Sequence, residues 1–258
     1  MKIIFLGTGP VKSIPRLGCK CPVCQDARKL HSKSKRTRSS IILTYSNLKV
    51  LIDASPDFLL QVKQNKIKKI DAVLITHPHK DAYGGIKKLD KWLKKPIPLY
   101  CQKQTWHMIK NNFINLIFNE IKANKKFEIN NLSILPLQVY HSIINEKKFP
   151  TLAYKINNLI YCSDVKKIPA RSLKYFKNIN TLILDAAMYF DRQIFTHLNA
   201  EDAILIAQKL NIKKLYLTQI GHSYPQFNKA QKAIISFVKN KNIKVKTNIA
   251  FDGQKINL

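Results

Sequence analysis

Residues 71–85, DAVLITHPHKDAYGG, constrain the fold of this chain more than any other stretch. The first five are almost all apolar, the pattern of a strand buried on both faces of a sheet. That strand runs straight into His77, His79 and Asp81 at i, i+2 and i+4. Loops at strand ends are where α/β folds place their chemistry. In a tight loop this spacing lets the side chains converge on one point, and imidazole and carboxylate suit Zn²⁺ or a similar divalent ion. Such an ion depresses the pKa of a bound water to about 7 and so supplies hydroxide at neutral pH. Taken alone, the segment also fits a solvent-exposed polar loop.

The rest of the chain supplies the frame. Residues 2–6 form a short apolar strand that ends at Gly7-Thr8-Gly9-Pro10. Residues 40–45 and 48–53 pair as a hairpin around Ser46-Asn47. Residues 86–130 read as helical and Lys-rich, broken by Pro96 and Pro98. Strands then return at 133–141, 151–156, 159–164 and 181–186, three of them ending on a potential ligand: His141, Asp164 and Asp185. A helix is expected over about 200–210, with Asn199 or Thr196 as its N-cap. A strand at 214–219, a helix at about 228–240 and the segment 244–253 close the chain. Strands and helices alternate in two halves, about 1–135 and 136–258, which favours one α/β domain spanning 1–258.

The net charge of +30 invites a nucleic-acid reading. Its make-up tempers that reading, because 39 Lys accompany only 6 Arg, beside 34 Ile and 21 Asn. These are the residues that A/T-rich codons encode, and nucleic-acid sites favour Arg for bidentate contacts. Nucleic acid is therefore a possible partner but not the favoured one. No apolar run approaches the ~20 residues needed to span a bilayer, so no membrane partner is expected. Five cysteines, an odd number, fit a reducing, cytoplasmic setting better than a disulfide framework. Cys19, Cys21 and Cys24 cluster, whereas Cys101 and Cys162 read as buried apolar residues.

The T-H-x-H-x-D loop, the strand-end His141 and the later Tyr161-x-Ser163-Asp164 together resemble the metallo-β-lactamase superfamily. FLGTGP, GCKCPVC, VLIDASPDF, YCSDVKKIP and YLTQIGHSYP are similar to its phosphoribosyl cyclic phosphodiesterase (PhnP-like) branch. The resemblance runs from residue 2 to about 225, with little from 86–130. It implies a four-layered αββα sandwich of a metal-dependent hydrolase, most simply a phosphodiesterase acting on a small phosphodiester, with a homodimer possible. It implies that His77, His79 and His141 hold a first metal, Zn or Mn, with Asp164 bridging to a second that Asp81 also serves. In fully dinuclear relatives the residue after the Asp and a late strand-end residue are both His, where this chain has Ala82 and Gln219. Both departures fall on the second metal, so one tight ion and a weak or empty second position are expected, with Gln219 at most a weak oxygen ligand.

The same branch implies a structural zinc on Cys19, Cys21, Cys24 and His222. The competing assignment makes His222 an active-site ligand and leaves the cysteines as free thiols. The resemblance puts His197 over the substrate, where it could bond a phosphate oxygen or protonate a leaving group; otherwise it is a surface residue near a helix start. Asp81, released from a full second site, could act as a base. Asp53 is expected to orient the His loop. His31 and His107 lack partners in sequence and read as surface residues. Gly84-Gly85 permits the tight turn after Asp81. The alternatives kept open are an RNA- or DNA-processing nuclease of the same fold and a non-catalytic metal-binding relative.

Overall fold

The computed structural model describes residues 1–141, 143, 144, 147–190, 192 and 194–258. In chain order its strands are β1 Lys2–Gly7, β2 Ser40–Tyr45, β3 Leu48–Ile52, β4 Ala72–Leu74, β5 Ile97–Cys101, β6 Leu116–Glu120, β7 Phe127–Ile129 and β8 Leu132–Val139. They continue with β9 Ile143–Ile144, β10 Lys147–Lys148, β11 Thr151–Ile156, β12 Leu159–Cys162, β13 Thr181–Asp185, β14 Lys214–Thr218, β15 Lys246–Ile249 and β16 Lys255–Asn257. The helices are α1 Pro22–Ala27, α2 Phe58–Gln64, α3 Lys80–Tyr83, α4 Ile86–Trp92, α5 Lys103–Ile109, α6 Ala170–Leu173, α7 Ala200–Lys209 and α8 Phe227–Asn240.

Two mixed seven-stranded sheets carry the molecule, ordered β16-β1-β2-β3-β4-β5-β6 and β15-β14-β13-β12-β11-β8-β7. Strand alternation explains why they stack. Ile3 and Phe5 point to a core shared with Leu152, Tyr154, Ile156 and Tyr161 of the other sheet. Ile4 and Leu6, the intervening residues, pack outward with Phe58, Leu89 and Ile109 of α2, α4 and α5. On the far side Ala153 and Leu182 face Ala203, Ile204 and Ile234 of α7 and α8. The order is helix, sheet, sheet, helix, the expected αββα sandwich.

The seam between the sheets differs from the expected halves. β7 and β8, residues 127–139, already belong to the second sheet, while β16 returns to pair with β1. Residues 86–130 also differ from the helical expectation, holding two short helices and three strands. In β5, Ile97, Leu99 and Cys101 are buried while Pro98 and Tyr100 are half-buried, a period of two. Parallel pairing of β5 with β4 and β6 overrides the helical propensity of the lysines around it. The hairpin at Ser46-Asn47 and the Asn199 cap form as expected, with Asn199 Oδ1 accepting the Asp202 N–H at 2.7 Å.

The parallel registers place the chemistry. Ile52 lies beside Leu74, Cys162 beside Leu184 and Asp185 beside Thr218. The residues that follow, Asp53, His77, Asp164 and Gln219, are therefore delivered to the same ends of their sheets.

Candidate metal centre

The turn after β4 is built for close approach. Gly85 N–H donates to Ala54 O at 2.8 Å, and a Cβ on Gly85 would sit 2.0 Å from Ser55 O, so no larger residue fits. This turn sends His77 and His79 inward, where with His141 they offer three ligand atoms within 4.8 Å of one another. Their rings stand edge to face, with centroids 4.8–5.5 Å apart. Burial lowers the pKa of His77 to about 3 and that of His79 to about 4. Both are neutral imidazoles at pH 7, the form that ligates metal.

The surroundings also fix which nitrogen is free. The Thr76 hydroxyl lies 2.9 Å from Asp53 Oδ2 and 2.8 Å from His77 Nδ1. A hydroxyl has one proton, so with Asp53 ionised Thr76 donates to the carboxylate and accepts from Nδ1–H. His77 Nε2 is then a lone pair, and it is buried without a partner. His141 repeats the pattern, with Nδ1 2.8 Å from Thr196 O, a carbonyl that can only accept. A buried imidazole nitrogen with no hydrogen-bond partner, clustered with two other imidazoles, fits a metal ion. Burial pushes the Asp53 carboxyl well above its ordinary range, and a cation in the histidine set would favour its ionised form. Asp53 therefore acts on His77 through Thr76, a link the sequence reading missed. It also missed Phe149, whose ring stacks on His79 at 4.3 Å.

Asp164, from the end of β12, is buried, with Oδ1 3.9 Å from His77 Nε2. It also falls in a second triplet with His141 and His197. Asp81 is different. No such set among the described residues includes it; it lines the adjoining cleft from α3. Burial and then Asp164 raise its pKa to about 6, so without a cation between them the two carboxylates repel. Ala82 is buried and brings no ligand atom. Gln219 presents nitrogen rather than the expected oxygen: Nε2 is 2.8 Å from both Asp164 oxygens.

His197 precedes α7 with its Nδ1 2.6 Å from Asp185 Oδ2. Burial opposes the imidazolium, but Asp185 outweighs it and the pKa is pushed up to about 9. Asp185 is held in turn by the N–H groups of Val165 and Ala187, each at 2.9 Å.

Cys19, Cys21, Cys24 and His222 form a separate set of four within 4.8 Å. His222 Nε2 lies 3.2 Å from Cys19 Sγ and 3.1 Å from Cys21 Sγ, so His222 joins the cysteines and not the active-site histidines. Burial raises the Cys24 thiol to about 11, while Arg16 N–H donates to its sulfur at 3.3 Å. Three thiols and one imidazole are the donors of a closed tetrahedral zinc site.

Between the two sets lies a cleft of about 370 Å³ lined by Asp81, His197 and His222 together with Arg16, Arg192 and Ser223. A larger cavity, about 630 Å³, sits by the turns at 45–48 and 128–131 and holds none of the expected ligands. Thr8 O accepts from Ile220 N–H at 2.9 Å, so the N-terminal Gly turn runs beside the loop carrying Gln219 and His222. Among the described residues no helix is long and apolar enough to cross a membrane.

Comparison with known proteins agrees with this fold. Residues 49–220 match the beta-lactamase superfamily domain. A PhnP-family diphosphatase superposes with a TM-score of 0.84 at 26% identity, covering 100% of this chain and 97% of the other. The Zn²⁺-bound PqqB of Methylobacterium extorquens, at 18% identity, shares the fold with a TM-score of 0.79 over the full length of both chains. A curated relative, the octanoyltransferase of Porphyromonas gingivalis, is 28% identical over 240 residues, or 87% of this chain. The chain spans only 47% of that protein's length.

Proposed function

The chain belongs to the beta-lactamase superfamily, and from that premise we propose that it is a metal-dependent hydrolase of a small anionic phosphodiester. His77, His79 and His141 would hold the catalytic ion, with Asp164 beside them, and Cys19, Cys21, Cys24 and His222 a structural zinc. When bound, a Zn²⁺ or Mn²⁺ ion supplies Lewis acidity and a water of lowered pKa.

The observation that carries the substrate class is the charge around the cleft. His197, an imidazolium below about pH 9, faces it beside Arg16 and Arg192. These cations would draw an anionic substrate into the cleft, and an imidazolium can also deliver a proton to a leaving alkoxide. Asp185 keeps His197 charged and oriented. Asp81, lining the same cleft with a pKa of about 6, can accept a proton near neutrality. The structural set forms another part of the wall, so its metal would shape the pocket without entering the chemistry.

A second reading has its own observation. Val11, Met188 and Ile194 give the cleft an apolar side, and a curated relative is named octanoyltransferase. An ester or thioester of a medium-chain acyl group would use that side. The test is one assay series on chelated protein reloaded with Zn²⁺ or Mn²⁺, using bis(p-nitrophenyl) phosphate and an octanoyl thioester. Metal-dependent turnover of the phosphodiester alone supports the leading reading. Turnover of the thioester alone replaces it with the acyl one, and failure on both favours a non-catalytic metal-binding protein.

A further inference from the structure

The fold family places a second metal next to the first, and resting on the reading above, the residues around Asp164 bear on whether this chain has room for it. Positions 82 and 219, where that family carries the second ion's histidines, do not fit such an ion. Position 82 is a buried methyl. Position 219 is a glutamine, 3% exposed, whose Nε2 sits 2.8 Å from Oδ1 and 2.8 Å from Oδ2 of Asp164. An amide nitrogen has two hydrogens to give and no lone pair to offer a cation. Turning the amide over would press Oε1 against a carboxylate, so the partner itself selects the donating orientation. Oε1 is left buried without a partner.

The backbone is committed to the same arrangement. Gln219 has φ +59°, the left-handed region that a side-chain-bearing residue occupies at a cost. It is kept there by backbone bonds on both sides: Ala186 N–H to Thr218 O at 3.0 Å, Ile220 N–H to Thr8 O at 2.9 Å and Gly221 N–H to Ala187 O at 3.1 Å. Two neighbouring segments, 186–187 and the N-terminal Gly turn, thus hold the loop that delivers this side chain to Asp164.

We infer that Gln219 is a neutral stand-in for the second metal. Its two N–H groups hold Asp164 where a bridging cation would, and they confine the active site to a single ion. Gln219 is a positioning residue: it fixes the carboxylate that faces His77 and denies it to a second ion.

The test is metal content of the full chain after chelation and reloading with excess Co²⁺, with the visible spectrum of the bound Co²⁺ as a second readout. Wild type is expected to hold two ions, one lost in Cys21→Ser and the other in His79→Ala. Ala82→His/Gln219→His is expected to hold three, with a new absorption band. Gln219→Glu, which keeps the shape and swaps donors for ligand oxygens, is expected to gain the same ion should the double variant fail to fold. Three ions in wild type, or two in every folded variant at position 219, overturns the inference and leaves the hydrolase reading standing. A wild type that holds only the ion lost in Cys21→Ser contradicts the hydrolase reading itself.

Discussion

His197 Nδ1, just before α7, and Asp185 Oδ2, at the end of β13, are 2.6 Å apart, and this pair sets the protonation of an imidazole that faces the cleft. The His197 pKa is raised from 6.5 to about 9, so the cation is present below that value and lost above it. Hydrolysis that needs the imidazolium is expected to fall as pH rises through about 9. In Asp185→Asn that limb should move toward the ordinary histidine value near 6.5, read from kcat/KM against pH. The fold follows the same sign. The imidazolium's contribution to stability is present near pH 6.5 and lost as pH rises through about 9. Burial raises the Asp185 carboxyl, so the pair is also lost at acid pH where Asp185 protonates. Chemical denaturation of wild type and Asp185→Asn at about pH 6.5 and above about pH 9 would reveal the alkaline loss.

Removing the imidazole separates its two roles. His197→Ala is expected to lower kcat by about 10²–10⁴ for an alkyl leaving group. A p-nitrophenyl leaving group needs no proton, so its loss should be much smaller. Equal losses for both would mean that His197 only binds the phosphoryl oxygens.

Arg16 and Arg192 are expected to act on substrate capture, not on the chemical step. Each Arg→Ala change should raise KM several-fold with kcat nearly unchanged. A fall in kcat with KM unchanged would place them on the reacting group.

Thr76→Val keeps the shape beside His77 but breaks the bond to Asp53. Loss of such an outer contact costs about 10–100-fold in metal affinity. A competition titration with a chromogenic chelator measures it, and unchanged affinity would show that the relay does not tune His77.

Much of this was legible in the chain. The apolar run 71–75 followed by His77, His79 and Asp81 gave the strand and the centre, and Cys19, Cys21 and Cys24 pointed to their own site. What was hidden depends on distant partners. Phe149, 70 positions along the chain from His79, meets it only once the intervening chain folds back, and no spacing encodes that. Strand β5 was masked because Lys-rich flanks look helical until β4 and β6 pair with it. Gln219 was legible as a missing histidine, but only the folded loop reveals that its nitrogen holds Asp164. Asp81, read as a ligand, lines the cleft and falls in none of the candidate metal sets among the described residues.

Replacing a cluster cysteine tests the second set. Cys21→Ala should release one ion per chain and lower the Tm, by about 2–4 °C for each kcal/mol lost in a chain of this size. Calorimetry alongside metal analysis measures both, and an unchanged Tm would mean that the cluster does not brace the fold.

The most direct test of the account is bound metal and phosphodiester turnover measured together on His79→Ala. The account predicts that the variant keeps its fold and the cysteine-bound ion, loses the other ion, and hydrolyses bis(p-nitrophenyl) phosphate no faster than buffer. Turnover that survives the loss of that ion would contradict it.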